Sequence, residues 1–104
     1  MEYLSKLYLS DDVRKYARKI KRRLKYHKTD VGHYLITIAS NPDDQIDIVP
    51  TTIWTTLGHS RPLPKVLGIA GSESGALELV RKMTEECYRE TGGADLKAYF
   101  SEKK

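Results

Sequence analysis

Two short apolar segments restrict the possible folds of this chain most strongly. GHYLITIAS occupies residues 32–40, and KVLGIAG occupies residues 65–71. The first is rich in β-branched and aromatic residues and is apolar on both of its alternating sets of positions. A strand that is apolar on both sides is typical of parallel sheets with helices over both faces. We therefore predict that residues 33–39 and 65–71 pair side by side as two parallel central strands.

A long amphipathic helix is predicted before the first of these strands. Apolar residues recur at steps of three and four from Val13 to Leu24, the spacing that places them on one face of an α-helix. Ser10 stands where an N-cap is needed, and the acidic pair that follows it suits the positive end of the helix dipole. We expect this helix to span about residues 11–28. The stretch before it, residues 3–9, fits either a helical turn or a strand.

The second half of the chain adds further helical segments. A long helix is expected over about residues 73–91, ended by Gly92, and a short last helix is expected to be capped by Asp95. The remaining segments predicted between the two strands are a short helix over residues 43–48 that stops near Pro50, a helical or irregular piece through Ile53, Trp54 and Leu57, and a loop over residues 58–64.

Together these elements predict a small α/β fold. Two parallel central strands joined by helical material form a βαβ-type unit, with a basic helix before it and a long helix after it. The length of 104 residues suits a single domain. Because two strands leave both edges of the sheet open to another chain, we also expect a homodimer.

The composition restricts the class of protein. Apolar residues make up 39% of the chain and charged residues 31%, which suits a globular rather than a disordered protein. No apolar run approaches the roughly 18 residues of a transmembrane helix, and the amino terminus lacks the pattern of a secretory signal. We therefore expect no transmembrane segment and a cytoplasmic location. Cys87 is the single cysteine, so no internal disulfide is expected.

Positive charge is concentrated near the predicted first helix. Residues 1–30 carry ten lysines and arginines against four acidic residues, whereas residues 31–104 carry eight against ten. Such a helix could neutralise the phosphates of RNA or DNA, and basic amphipathic helices also bind acidic proteins and anionic lipids. Solvated charge without a partner is the simplest alternative. The residues predicted to carry the interaction are Arg14, Arg18, Lys21, Arg22 and Lys25.

A second candidate site follows from the predicted parallel pairing. The carboxyl ends of parallel strands lie at one edge of a sheet, where open α/β sheets bind ligands. Polar residues follow both predicted strands, so we expect them to form a polar rim. Turn formation and helix capping would account for the same residues without a ligand. The residues of this predicted rim are Ser40, Asn41, Asp43, Gly71, Ser72 and Ser74.

The glycine-rich junction after the second strand fits neither common phosphate-binding motif. Gly68, Gly71 and Gly75 have a spacing that differs from the dinucleotide fingerprint and from the P-loop. Ser72 can cap the following helix, and Glu73 places a carboxylate where a phosphate would bind. We therefore interpret the junction as a tight turn before a helix.

The sequence offers no catalytic or metal-binding set. The three histidines are widely separated, and no second cysteine or nearby acid completes a familiar metal site. No cofactor and no catalytic residue are therefore predicted. The leading hypothesis is a non-enzymatic interaction module that self-associates and presents its basic helix to an acidic partner. Nucleic-acid binding by the same helix is one alternative, and a small-ligand or enzyme site at the rim is another.

Several segments resemble a group of short, uncharacterised proteins from anaerobic Gram-positive bacteria. These segments are YLITIASNPDDQIDIVP, VLGIAGSESGALELV and YRETGGADLKAYF, preceded by LYLSDD and the basic helix. The resemblance covers most of the chain and implies no activity, ligand or functional residue. In that group a Lys-Gly pair tends to stand where this chain has Gly71 and Ser72, so a cation that a phosphate site would use is absent here.

Overall fold

The computed structural model of the protein describes residues 2–26, 28, 30–53 and 64–104. Helices and strands are both present, which confirms the predicted mixed α/β class, and the longest helix lies in the second half of the chain, as expected. The strands are β1 (Tyr3–Leu9), β2 (Tyr34–Ile38), β3 (Ile46–Pro50) and β4 (Val66–Ala70). The helices whose bounds are defined are α1 (Ala17–Lys25), which follows a 3₁₀ turn over Arg14–Tyr16, α2 (Glu73–Thr91) and α3 (Leu96–Glu102). Residues 51–53 are also helical, which agrees with the helical alternative predicted at Ile53. The predictions for Trp54, Leu57 and residues 58–63 lie outside the described residues.

The four strands form one sheet in the order β1-β4-β2-β3. β1 and β4 are parallel, whereas β2 is antiparallel to both of its neighbours, β4 and β3. The sheet thus contains a parallel pair, but the predicted parallel pairing of residues 33–39 with residues 65–71 is wrong. Burial on both faces misled the prediction, because helices can cover both faces of a sheet whichever way its strands run. The parallel partner of β4 is β1, the segment whose structure the sequence left open.

β3 replaces a predicted helix. The sequence places a short helix over residues 43–48, whereas the structure has a turn followed by a strand that pairs with β2 as a hairpin. Asn41 stabilises the turn, because its side-chain oxygen accepts a hydrogen bond from the backbone N–H of Asp43 at 3.0 Å. The isoleucines and the valine of β3 favour a strand over a helix, since β-branched side chains pack well on a pleated surface.

The position of Pro50 within β3 has a simple explanation in the hydrogen-bond pattern of the hairpin. The backbone N–H of Thr51 donates to the carbonyl of His33 at 3.0 Å, so these two residues form a hydrogen-bonded pair. Bonded and non-bonded pairs alternate along an antiparallel ladder, which directs the nitrogens of Pro50 and Ile48 toward the outer edge of the sheet. Pro50 therefore removes no hydrogen bond from the ladder, as expected for proline in an edge strand.

Helices cover both faces of the sheet. α1 packs on one face, where the buried cluster consists of Val13, Ile20, Leu24, Leu35, Val66 and Ile69. α2 and α3 pack on the other face, where the buried cluster consists of Leu4, Ile36, Leu67, Ala70, Ala76, Leu79, Met83, Cys87, Leu96 and Phe100. β2 and β4 contribute to both clusters. The two central strands are therefore buried on both sides, as their apolar sequences predict.

The helical structure of the first basic segment is shorter than predicted. The helix expected over residues 11–28 is α-helical over Ala17–Lys25, after a 3₁₀ turn. Ser10 does not cap it. The hydroxyl of Ser10 instead accepts a hydrogen bond from the backbone N–H of Gly71 at 3.1 Å and donates to the carboxylate of Asp12. The serine assigned to a helix cap thus joins the loops that follow the parallel strands β1 and β4.

α2 begins and ends, and α3 begins, close to where the sequence predicts. The hydroxyl of Ser72 accepts the N–H of Gly75 at 3.0 Å at the start of α2, and Gly92 ends this helix with a φ of 75°. The carboxylate of Asp95 accepts the N–H of Ala98 at 3.1 Å at the start of α3. Each cap lies within a few residues of the backbone group that it satisfies, so sequence spacing could locate it.

Glu86 of α2 joins three elements through one carboxylate. It accepts hydrogen bonds from the hydroxyl of Tyr8 in β1 at 2.5 Å and from that of Tyr99 in α3 at 3.0 Å, and the Lys103 ammonium lies at 3.4 Å. Partial burial alone would raise the pKa of Glu86, but the bonds from these donors outweigh it, so the pKa is lowered. Burial, followed by the bond to Glu86, raises the pKa of Tyr8. The network is therefore most stable with an ionised Glu86 and a protonated Tyr8.

Replacing Glu86 with glutamine should remove a pH-dependent part of the stability. A carboxylate whose pKa is lowered by folding stabilises the protein above its ordinary pKa of 4.5 and loses this contribution as the pH falls through the folded value. We expect Glu86→Gln to reduce the free energy of unfolding by on the order of 1 kcal/mol near neutral pH, and by less below about pH 4. Urea denaturation of the wild type and the variant, once near neutral pH and once below about pH 4, measures the loss of unfolding free energy under each condition. An equal loss at both would contradict an ionised, hydrogen-bonded Glu86.

Candidate functional site

The exposed side of α1 carries a dense group of basic residues. Ile20 and Leu24 are buried against the sheet, so the residues on the opposite side of the helix point into solvent. From the 3₁₀ turn to the end of α1, the exposed residues on that side are all cationic except Tyr16. We name this surface the basic face and define it by the exposed cations Arg14, Lys15, Arg18, Lys19, Arg22 and Lys25.

The basic face contains most of the residues that the sequence selected. Four of the predicted interaction residues belong to it, namely Arg14, Arg18, Arg22 and Lys25. Lys21 lies half-buried at the margin, where its ammonium is 4.7 Å from the centre of the Tyr3 ring. A cation–π contact of this kind holds Lys21 against β1. Lys15 and Lys19 also belong to the face, and the helical spacing that selected Arg18 would have found them.

Few cations of the basic face have an acidic partner. Arg14 lies 3.3 Å from Asp11, and Arg23, at the margin of the face, lies 3.4 Å from Asp30. In the part of the chain that the structure describes, no carboxylate lies within ion-pair distance of Lys15, Arg18, Lys19, Arg22 or Lys25. The positive potential of this surface is therefore not cancelled locally.

Two tyrosines stand beside these cations. Tyr16, at the start of α1, is 55% exposed, and Tyr26, at its end, is 60% exposed. The Lys25 ammonium lies 5.5 Å from the centre of the Tyr26 ring. Exposed aromatic rings beside cations provide flat surfaces on which unpaired bases can stack while the cations contact phosphates. The basic face therefore combines the two contacts that single-stranded nucleic acids make.

The structure does not bring the predicted polar rim together. Because β2 is antiparallel to β4, the residues after β2 lie at the opposite end of the sheet from the residues after β4. Ser40, Asn41 and Asp43 are at one end, and Gly71, Ser72 and Ser74 are at the other. At the first end, the main-chain oxygen of Asn41 accepts a hydrogen bond from the Lys97 ammonium at 3.0 Å. The predicted convergence of the two groups is wrong; Asn41 stabilises a turn and Ser72 caps α2 instead.

The loop after β1, rather than that after β2, adjoins the glycine-rich junction. β1 and β4 are parallel, so their carboxyl ends meet at one edge of the sheet. There the Asp12 carboxylate lies so close to Gly71 that a Cβ on this glycine would be 1.9 Å from Asp12 Oδ2. A carboxylate of the chain itself thus adjoins the start of α2, which disfavours a phosphate there. This geometry supports the interpretation of the junction as a turn.

A buried polar cluster surrounds Asp30, and the sequence did not predict it. The side chain of Asp30 is fully buried, and its carboxylate lies 2.7 Å from His33 Nδ1 and 3.4 Å from Arg23 Nη1. The Thr51 hydroxyl lies 3.2 Å from the main-chain oxygens of Asp30 and His33. The Asp-x-x-His spacing is visible in the sequence, but loop residues have no periodic pattern that marks their burial.

A histidine that a carboxylate orients can act as a general base in a catalytic site. Such a pair needs a nucleophile or a bound substrate to act on. The hydroxyl that the cluster contains, that of Thr51, is directed at main-chain oxygens. We therefore interpret Asp30 and His33 as a structural link between α1, β2 and β3.

Residues 2–26, 28, 30–53 and 64–104 contain neither a metal-ligand group nor a membrane-spanning helix. No group of three histidine, cysteine or acidic side chains among them could hold a metal ion. None of the helices that they form has the length and apolar composition needed to cross a bilayer.

Comparison of the chain with protein-family models, curated proteins and solved structures finds no match. The resemblance to the bacterial group stays a prediction, and the function has to be inferred from the surfaces of the molecule.

Proposed function

We propose that this protein is a non-enzymatic binding module that docks an acidic macromolecule on the basic face of α1. The observation that carries the proposal is that five of the six cations of this face have no carboxylate partner among the described residues. Uncompensated charge steers an oppositely charged partner into contact, and the bound partner releases counterions. The helix and its preceding turn are about 18 Å long, enough to contact several phosphates or carboxylates.

A nucleic acid is the acidic partner that the geometry favours. Charge alone would attract an acidic protein equally well, but the exposed rings of Tyr16 and Tyr26 add stacking surfaces that an acidic protein does not need. An acidic protein surface remains the second candidate, since basic helices also bind such partners. A cytoplasmic location is part of the same proposal.

Reversing charge on the basic face should abolish nucleic-acid binding without unfolding the protein. We expect Arg18→Glu combined with Arg22→Glu to weaken binding of labelled single-stranded RNA by at least about tenfold, because two favourable phosphate contacts become repulsive. Fluorescence anisotropy in a salt series from about 50 to 300 mM measures the affinity, and the wild-type affinity should fall steeply with salt.

A variant with the same change in net charge at another surface provides the control. Lys6→Glu combined with Lys82→Glu alters β1 and α2 and should change RNA affinity by less than about threefold. Tyr26→Ala should weaken RNA binding and leave binding of poly-glutamate unchanged. Binding of poly-glutamate that Arg18→Glu with Arg22→Glu abolishes, without binding of RNA or DNA, would support the acidic protein instead. Failure of all these polymers to bind at low salt would overturn the proposal.

We also propose that the chain forms a homodimer through the outer edge of β3. Within the described residues β3 pairs with β2 alone, and the N–H of Ile48 points outward. β3 carries a single charged side chain, Asp47, so two copies can pair edge to edge with little repulsion. We expect light scattering to give twice the mass of the chain, and Ile48→Pro to weaken the dimer by removing the outward N–H. A wild-type monomer throughout the micromolar range would contradict the dimer.

A further inference from the structure

A groove runs along the outer edge of β1, on the side of the sheet that α2 covers. Its volume is about 620 Å³, and it extends from the end of the chain near Ser5 to the 3₁₀ turn. Leu7 and Leu79 contribute apolar surface to its walls. The side chains that give the groove its charge are Lys6, Arg14, Lys82, Lys103, Lys104 and the single acid Glu86.

The backbone of β1 is available along this groove. Among the described strands, β4 is the one that pairs with β1, so the other edge of β1 has no strand beside it. Tyr3 pairs with Val66 and Tyr8 with Gly68, so residues 4–7 of β1 lie opposite the single residue Leu67 of β4 and the pairing is irregular there. Within this stretch Leu4 is buried in the core, whereas Ser5 and Lys6 are exposed. Exposed strand edges of this kind accept an additional strand.

The end of the chain already makes one bond of the kind that an added strand would make. Lys103, which follows α3, has extended backbone angles, with φ of −77° and ψ of 141°. The carbonyl of the next residue, Lys104, accepts a hydrogen bond from the backbone N–H of Ser5 at 3.1 Å. The edge of β1 therefore accepts an extended backbone, and the free part of the edge continues from Ser5 toward Leu9.

The charge of the groove indicates which kind of segment would bind. Glu86 is already bonded to Tyr8, Tyr99 and Lys103, so its charge is compensated within the protein. In the described part of the chain, no carboxylate lies within ion-pair distance of Lys6, Lys82 or Lys104. Arg14 and Lys103 have acidic partners of their own, so among the described residues Lys6, Lys82 and Lys104 are the uncompensated cations of the groove, and they favour a ligand with several carboxylates.

Two other occupants fit this groove less well. A second copy paired through the same edge would place each lysine near a symmetry-related lysine, because a two-fold interface brings one surface against itself. A nucleic acid would satisfy the charges, but it lacks the regular series of amide donors and carbonyl acceptors that the edge of β1 requires.

From this combination of backbone edge, cavity and charge, we infer that the groove binds an extended acidic peptide segment as an additional strand beside β1. Main-chain hydrogen bonds to residues 6–9 supply affinity, and carboxylates at alternate positions of the peptide contact Lys6 and Lys82. This site does not depend on the proposed function, because the basic face and the groove share Arg14 alone and lie on different elements.

The inference can be tested with three labelled peptides of about eight residues. The first alternates threonine and glutamate, the second alternates threonine and lysine, and the third replaces each threonine of the first with proline. Proline keeps the charge and removes alternate backbone donors. We expect the threonine–glutamate peptide to bind in anisotropy measurements at about 50 mM salt, and both other peptides to bind at least about tenfold more weakly.

Protein variants locate the site. Lys6→Glu with Lys82→Glu should weaken binding of the threonine–glutamate peptide by at least about tenfold, whereas Arg18→Glu with Arg22→Glu should change it by less than about threefold. Both variants alter the net charge equally, and RNA binding should show the reverse pattern, which separates failure of this site from failure of the basic face. Absence of binding at about 1 mM peptide, equal binding of the proline peptide, or equal loss in both variants would overturn the inference.

Discussion

Replacing Phe100 with alanine is expected to lower the free energy of unfolding by about 3–5 kcal/mol. The Phe100 side chain is 0% exposed, and its ring makes edge-to-face contacts with Tyr8, at 5.9 Å between centroids, and with Tyr99, at 4.9 Å. The large loss combines the removed apolar surface with the cavity that remains. α3 has seven residues, too few for a helix to persist without packing, so we also expect α3 to separate from the sheet.

Urea denaturation followed by circular dichroism measures this loss. Tyr88→Ala is the matched control, because Tyr88 is also aromatic but is 66% exposed on α2. We expect the control to change the free energy of unfolding by less than about 0.5 kcal/mol. A loss below about 1 kcal/mol for Phe100→Ala would mean that α3 does not pack on β1 and α2 as described.

The second large effect is expected at Gly68, in the middle of β4. A Cβ at this position would lie 2.9 Å from the main-chain oxygen of Tyr8, 3.2 Å from Tyr8 Cβ and 3.3 Å from Ile36 Cδ1. The first of these atoms belongs to the backbone of the neighbouring strand and cannot move without separating β1 from β4. We therefore expect Gly68→Ala to destabilise the protein by about 1–3 kcal/mol and Gly68→Val to prevent folding.

Thermal unfolding measures the effect at Gly68. For a chain of this length, the expected destabilisation corresponds to a fall in melting temperature of roughly 5–20 °C. Gly93→Ala is the control, since the nearest atom to a Cβ there is Thr91 Oγ1 at 3.8 Å, an ordinary contact. If Gly68→Ala melts at the same temperature as the wild type, the close approach of β1 to β4 would be wrong.

The predicted features that agree with the structure depend on local signals. The cap of α2 needs a hydroxyl at Ser72 and an N–H three residues later, and both can be found by spacing in the sequence. The basic face follows in the same way, because the buried positions Ile20 and Leu24 determine which side of the helix faces solvent. Such features involve residues within one or two helical turns of each other.

The direction of β2 could not be obtained in this way. It depends on the hairpin that β2 forms with β3, and thus on the structure of residues 43–50. A helix at 43–48 makes the two apolar strands look like a crossover unit, which would be parallel. A strand there reverses the chain before it returns to β4. A single incorrect element therefore changed the pairing and with it the predicted rim.

The groove and the Glu86 network depend on residues that are distant in sequence. Tyr8 and Glu86 are 78 positions apart, so no spacing rule joins them. The groove brings Lys6 of β1, Lys82 of α2 and the end of the chain to one surface only when β1 has its place at the edge of the sheet. The sequence left the structure of β1 open, so this surface could not be predicted.

The central claim is that the outward side of α1 is where this protein meets an acidic macromolecule. Titration of the isotope-labelled protein with single-stranded RNA, followed by two-dimensional amide NMR at low salt, tests it most directly. The largest shift changes are predicted within residues 14–26, with little change over residues 73–91. Unchanged spectra, or changes concentrated on α2 or α3, would contradict the claim.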